Sequence, residues 1–226
     1  EMLEKEQLDG VVIATPLSTH HAITMDCLDA GKYVFCEKTL CYTIDQCRDV
    51  IIKSHEVGKF VQVGHQRRYN PRYNHALKLA REEKVLGRIN HIDAQWHRNN
   101  DWRRPVPTNR GLTEKEKQFI KTDLEHHINW RLYWTTSDGL MTELGAHQFD
   151  VANWFLDAMP TKVSCYGGLD YWRDGREVFD HVNAILEYEV GPQNRGYMPI
   201  EPKTEYQAKY AGPGPTYNDP YKVVVC

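Results

Sequence analysis

The sequence predicts an α/β protein: the C-terminal half of a doubly wound parallel sheet, followed by an α/β domain with an open, mainly antiparallel sheet. Three observations predict this. Gly10-Val11-Val12-Ile13-Ala14 and Tyr33-Val34-Phe35-Cys36 are apolar, strand-length runs on either side of a helix-sized segment, Ser18 to Ala30. Strand, crossover helix and strand make a βαβ unit, which implies parallel strands and a right-handed crossover. Phe60-Val61-Gln62-Val63-Gly64 repeats the pattern after a second helical segment. Beyond residue 140 the order changes to one amphipathic helix and then two alternating strands, which suits helices on one face of an antiparallel sheet.

The elements follow in order. The first strand spans Asp9 to Ala14 and ends in a Thr15-Pro16 turn. His20, Ile23 and Leu28 give the next segment an apolar helical face, Ser18 is its expected N-cap, and Gly31 closes it. Val34 to Cys36 is the second strand. Thr43-Ile44-Asp45 caps a helix that runs to about Val57 and stops at Gly58. His65-Gln66-Arg67-Arg68-Tyr69-Asn70-Pro71 is polar, ends in a helix-start proline, and reads as the passage between domains. Arg72 to Lys84 reads as a helix and Arg88 to His97 as a long alternating strand. Asn99 to Phe119 reads as a polar loop and Asp138-Gly139 as a turn. Leu140 to Leu156 is the amphipathic helix, with Leu144, Val151, Phe155 and Leu156 for a core. Lys162 to Asp170 and His181 to Tyr188 are the last expected strands. From Gly191 onward prolines and glycines interleave with tyrosines, and the tail reads as extended and irregular. The expected boundaries are 1–68 for the partial first domain, 69–190 for the second and 191–226 for the tail.

Bulk properties narrow the function classes. A chain of 226 residues can bury one large or two modest cores. A net charge of −3 without single-sign blocks points away from nucleic acid and anionic membrane. The apolar runs are strand-length, so no transmembrane helix is expected. Six cysteines without a CxxC pair read as free thiols in a reducing, cytoplasmic compartment, with Cys36 an inert core residue. The opening Glu1-Met2-Leu3-Glu4-Lys5-Glu6 reads as the tail of a helix, which leaves an upstream export signal open.

Ligands of such parallel sheets bind beyond the carboxyl ends of the strands. Thr15-Pro16 and Glu37-Lys38 occupy two of those ends. A partly desolvated Lys38 would have a lowered pKa and could exchange a proton, with Glu37 beside it. Taken alone, a Glu-Lys pair after a strand is more often a solvated turn. Glu143, His147 and Asp150 are spaced to share one helical face, which would give a histidine oriented by two carboxylates. Local hydrogen bonding is the plainer alternative. His126-His127-Ile128-Asn129-Trp130-Arg131-Leu132-Tyr133 mixes donors with aromatic walls, which suits either a sugar ring or an aromatic packing loop.

Three stretches resemble the Gfo/Idh/MocA oxidoreductases. They are Thr15-Pro16 and His20 with Ala30-Gly31-Lys32-Tyr33-Val34-Phe35-Cys36-Glu37-Lys38; Gly64-His65-Gln66-Arg67-Arg68-Tyr69-Asn70-Pro71; and Gly139-Leu140-Met141-Thr142-Glu143-Leu144-Gly145-Ala146-His147-Gln148-Phe149-Asp150. The resemblance covers about residues 9–190. It implies a Rossmann-type domain, a substrate domain with an open sheet, and NAD or NADP chemistry on a sugar or polyol. By position it implies catalytic Lys38 and His147, and cofactor contacts from Thr15, Pro16, His20, Glu37, Lys38, Gln66 and Arg67. It also implies substrate contacts from Glu143, Asp150, Arg131, Tyr133, His127, Arg68 and Tyr69. No metal-ligand spacing is clear, and a homo-oligomer through the second domain's sheet is expected. Two departures stand out. Thr39 replaces the family's proline, and a cis Lys-Thr bond is far less favourable than a cis Lys-Pro bond, so a trans bond and a differently aimed Lys38 are expected. No GxGxxG occurs, so weak or no dinucleotide binding and no activity are expected of these residues alone. The alternatives are a glycoside hydrolase of the same family that oxidises its substrate transiently with NAD, and a non-catalytic regulatory relative.

Overall fold

The computed structural model describes residues 2–118, 120, 122–196 and 220–226. The elements in chain order are α1 (Met2–Lys5), β1 (Gly10–Ile13), α2 (His20–Asp29), β2 (Tyr33–Glu37), α3 (Ile44–Val57), β3 (Val61–Gly64) and α4 (Pro71–Arg81). They continue with β4 (His91–Ile92), α5 (Glu114–Lys117), α6 (Leu124–Ile128), α7 (Ala146–Leu156), β5 (Pro160–Gly168), β6 (His181–Val190) and β7 (Tyr221–Val225). The chain divides into two compact units. One holds Glu1–His65, Arg98–Ala146 and Gly167–His181; the other holds Gln66–His97, His147–Tyr166 and Val182–Cys226.

The first unit is built on a parallel sheet in the order β1-β2-β3. Its register sets Ile13 beside Cys36, and Glu37 beside Gly64. Helices α2 and α3 bury Cys27, Leu28 and Val50 against Ile13, Val34 and Cys36. Burial raises the Cys36 thiol to about 11, so it stays protonated in the core. Strand pleating sends Val12 to the other face, where it is 72% exposed. The start of α3 follows from its sequence. Thr43 accepts from the Gln46 backbone N–H at 3.2 Å, the Gln46 side chain returns the bond to the Thr43 N–H, and Gly58 ends the helix at a φ of 63°. The expected Ser18 cap of α2 is not formed. Leu17–Thr19 make a 3-10 turn first, and the helix begins at His20 with Thr19 at the N-cap position.

The second unit holds a mixed sheet in the order β4-β7-β6-β5. β7 runs antiparallel to β6 and parallel to β4. Its core joins Ala152 and Leu156 of α7 to Leu186, Tyr188, Val190, Val223 and Val225. Two expectations are corrected here. The Arg88–His97 run forms a strand only at His91–Ile92. The end of the tail is not irregular: Tyr221–Val225 form β7, because Val223 and Val225 alternate into this core. The greater part of the tail lies outside the described residues. The helix from Leu140 is also not uniform, since Met141–Gly145 wind as a π-helix before α7 begins. Among the described residues no helix is long and apolar enough to cross a membrane.

Candidate active site

In the first unit, β2 delivers Lys38 into a half-buried position with 13% of its side chain exposed. Lys38 Nζ donates to the Glu143 backbone carbonyl at 2.7 Å and lies 3.8 Å from Glu143 Oε2. The Glu143 carboxylate, with a side chain 6% exposed, also accepts from Arg131 Nε at 3.2 Å and from Ser137 Oγ at 3.3 Å. Burial holds the Lys38 ammonium below its ordinary pKa of 10.5, and Arg131 pushes the same way, against Glu143 and Glu37. The group is therefore an amine kept near two carboxylates but partly out of water.

The loop that aims Lys38 is tied at both ends. Thr39 Oγ1 donates to the Thr142 carbonyl at 3.0 Å. The buried His20 ring spans Thr39 O at 2.8 Å and Thr15 O at 2.9 Å, joining the ends of β1 and β2. The Lys38–Thr39 peptide is cis, which corrects the expected trans bond; these contacts outweigh the local preference. Ser137, fully buried, accepts from the Gly139 N–H at 3.2 Å and so fixes the turn before Glu143. Gly139 has a φ of +69°, and a Cβ there would lie 3.2 Å from Val178 and 3.3 Å from Trp134, so no larger residue fits.

The aromatic stretch divides. Arg131 reaches Glu143, and its guanidinium lies 4.2 Å from the Trp130 ring centroid. Tyr133 does not offer an open wall. It is 7% exposed, its hydroxyl donates to Glu125 at 2.7 Å, and burial raises its pKa. Arg103, Asn129 and Tyr133 all converge on Glu125, so this part of the stretch packs a network. His127 is exposed.

In the second unit, His147 is 4% exposed and stacks on Trp96, with ring centroids 5.6 Å apart. Arg67 places its guanidinium 4.9 Å from the Trp96 centroid and donates from Nε to Tyr73 Oη at 3.3 Å. Arg68 grips Asp150 through Nε at 2.9 and 3.0 Å and Nη2 at 2.7 Å, and lies over Trp154. Tyr69 is 56% exposed and Gln66 is exposed. The expected histidine held by two carboxylates is thus corrected. Glu143 turns to Lys38, Arg131 and Ser137, and Asp150 to Arg68, because buried carboxylates need paired partners. The π turn removes the regular spacing on which the shared face was argued.

Of the cofactor-side residues, Thr15 is exposed just past β1, Pro16 accepts from the Thr19 N–H at 2.9 Å, and Glu37 is half-buried beside Gly64. Trp96 and Ser137 were not singled out by sequence. Trp96 sat inside an alternating run read as a strand, and a serine before Asp-Gly carries only a turn signal.

Comparison with known proteins decides the family. Residues 74–194, more than half the chain, match the GFO/IDH/MocA C-terminal domain. The chain belongs to the GFO/IDH/MocA family. Residues 1–65 match the model described as an oxidoreductase family with an NAD-binding Rossmann fold. Inositol 2-dehydrogenase 1 of Saccharopolyspora erythraea is 29% identical over 187 residues, covering 81% of this chain and 46% of that protein. The inositol 2-dehydrogenase of Rubrobacter xylanophilus is 30% identical over 181 residues, covering 80% and 43%. Among solved structures, an inositol dehydrogenase homolog from Azotobacter vinelandii, complexed with NADH and myo-inositol, superposes with a TM-score of 0.64 at 19% identity over 83% of this chain and 44% of that one. An oxidoreductase domain protein from Kribbella flavida reaches 0.65 at 22%, covering 83% and 47%. The chain spans about half the length of these relatives, and the solved structures support the fold.

Proposed function

We propose that this chain carries the substrate-handling residues of an NAD(P)-dependent dehydrogenase acting on a cyclic polyol or sugar. The observation that carries the reading is Lys38, an amine with a depressed pKa held within reach of Glu143 and Arg131. The family match and the inositol dehydrogenases among its relatives supply the substrate class. The polar edge at Thr15 and Glu37, beyond the ends of β1 and β2, fits the nicotinamide end of the dinucleotide. The sequence contains no GxGxxG, so no residue here is assigned to the pyrophosphate. Thr15, Pro16, His20, Gln66 and Arg67 would hold the cofactor, which when bound supplies the hydride acceptor.

The chain's own residues handle the proton and the hydroxyls. Lys38, with His147 as its partner in proton transfer, takes the proton from the hydroxyl being oxidised. Glu143 and Arg131 accept from and donate to neighbouring hydroxyls, and Arg68 keeps Asp150 ionised. The protein acts in the cytoplasm, a reading supported by its free cysteines. It self-associates through the second unit's sheet, where Val163 and Ile185 are 56% and 50% exposed. Enzyme made from the native reading frame should accumulate NADH or NADPH with an inositol or a related cyclic polyol. Lys38→Met should lower kcat by roughly a hundredfold or more, the usual range for a lost proton-transfer group. Turnover that survives Lys38→Met would remove the lysine from the chemistry. Cleavage of a glycoside without net reduced cofactor would replace the dehydrogenase by the hydrolase.

A further inference from the structure

We infer that Trp96 is a positioning residue for His147: its indole holds the imidazole in one orientation, and Arg67 holds the indole. The inference rests on the role given to His147 above. Three observations in the second unit lead to it. The Trp96 and His147 rings are stacked, with centroids 5.6 Å apart and planes 30° apart. The Arg67 guanidinium lies 4.9 Å from the Trp96 centroid, at cation–π range, and its Nε is anchored on Tyr73 Oη at 3.3 Å. His147 is 4% exposed while Trp96 remains 37% exposed, so the indole forms part of the outer wall of the imidazole's site.

The physical argument concerns rotation about the histidine side chain. The terminal torsion of histidine is broad, so its neighbours must choose the ring plane. A catalytic imidazole works only when one nitrogen faces the reacting hydroxyl, and small misplacements are expensive in rate. The two acids expected to orient it are engaged elsewhere, Glu143 with Arg131 and Asp150 with Arg68. A flat aromatic neighbour restricts the ring plane without consuming a nitrogen. Arg67 in turn keeps the indole from swinging away. Trp96 therefore acts through His147, and its removal should change turnover more than substrate affinity.

The test combines histidine-selective NMR with kinetics on enzyme from the native reading frame. His147→Gln identifies the His147 imidazole signals among the protein's eleven histidines. In the wild type those signals should be displaced by the indole ring current. Trp96→Leu should return them toward ordinary positions and lower kcat about tenfold with KM within about twofold, by analogy with lost orientation elsewhere. Trp96→Phe should restore most of both. Arg67→Met should broaden the His147 signals by freeing the indole. Unchanged His147 signals in Trp96→Leu would overturn the inference, and so would an equal loss of kcat in the Leu and Phe variants. If the wild type shows no polyol dehydrogenase activity, the functional reading fails, and the NMR comparison still decides whether Trp96 sets the imidazole's orientation.

Discussion

Glu143 and Asp150 lie on one stretch of chain, and both are shielded from water, with side chains 6% and 11% exposed. Their partners differ. Asp150 is gripped by the Arg68 fork at 2.7 to 3.0 Å, a bidentate geometry that fills the carboxylate's best acceptor positions. Glu143 has three partners spread around it at 3.2, 3.3 and 3.8 Å, none of them bidentate. One carboxylate is locked, and the other is surrounded by donors with capacity left over. Lys38 has three N–H groups, and its printed hydrogen bond uses one. The comparison teaches where a polyol's hydroxyls can enter without first breaking a strong pair.

Stability measurements can break that comparison. Glu143→Ala should lower unfolding free energy by about 3 kcal/mol, because it strands the half-buried Lys38 beside Arg131 without an anion. Asp150→Ala should lower it by only about 1 kcal/mol. The Arg68 side chain is 40% exposed, so its freed guanidinium returns to water. Urea denaturation of the two variants gives both numbers directly. Equal losses would mean that the burial difference does not separate the two sites. Tyr133→Phe sharpens the same point at smaller scale. It removes one hydroxyl from the Glu125 network, for an expected loss of about 1 kcal/mol and little change in KM. A large rise in KM would instead return Tyr133 to the substrate wall.

How much of this was legible in the sequence depends on the range of the interaction. The parallel sheet, the Thr43–Gln46 capping box and the Gly58 stop were readable, because each is set by residues within a few positions of one another. Lys38 and Glu143 were readable as site residues, but not as partners. Their contact spans over a hundred positions and depends on the Thr39–Thr142 and His20–Thr39 links that place the loop. The shared face of Glu143, His147 and Asp150 failed because the argument assumed α-helical winding, and Met141–Gly145 are a π turn. β7 was hidden because a short Tyr-Lys-Val-Val-Val run at the end of a proline-rich stretch gives little local signal; its place is set by Leu186 and Tyr188 across the sheet. Trp96 was missed for a similar reason, since stacking on a distant histidine leaves no mark on local periodicity.

The smallest effect follows from the sign of the Lys38 shift. Burial places its folded pKa below 10.5, with Arg131 adding to the depression. Below the folded value the amine is protonated in both states, and the folded protein bears the whole penalty of holding a desolvated ammonium. Between the folded value and 10.5 the unfolded chain binds a proton that the folded chain has released. Stability contributed by this group must therefore rise with pH across that window. The slope is isolated by subtraction, because Lys38→Met removes this proton and leaves the other titrations in place. Wild-type unfolding free energy minus that of Lys38→Met should increase from neutral pH toward 10.5. A difference that stays flat would mean that water reaches the amine freely. A difference that falls would mean that its bonds to the Glu143 carbonyl and carboxylate outweigh burial, and Lys38 would then be a locked cation like Arg68.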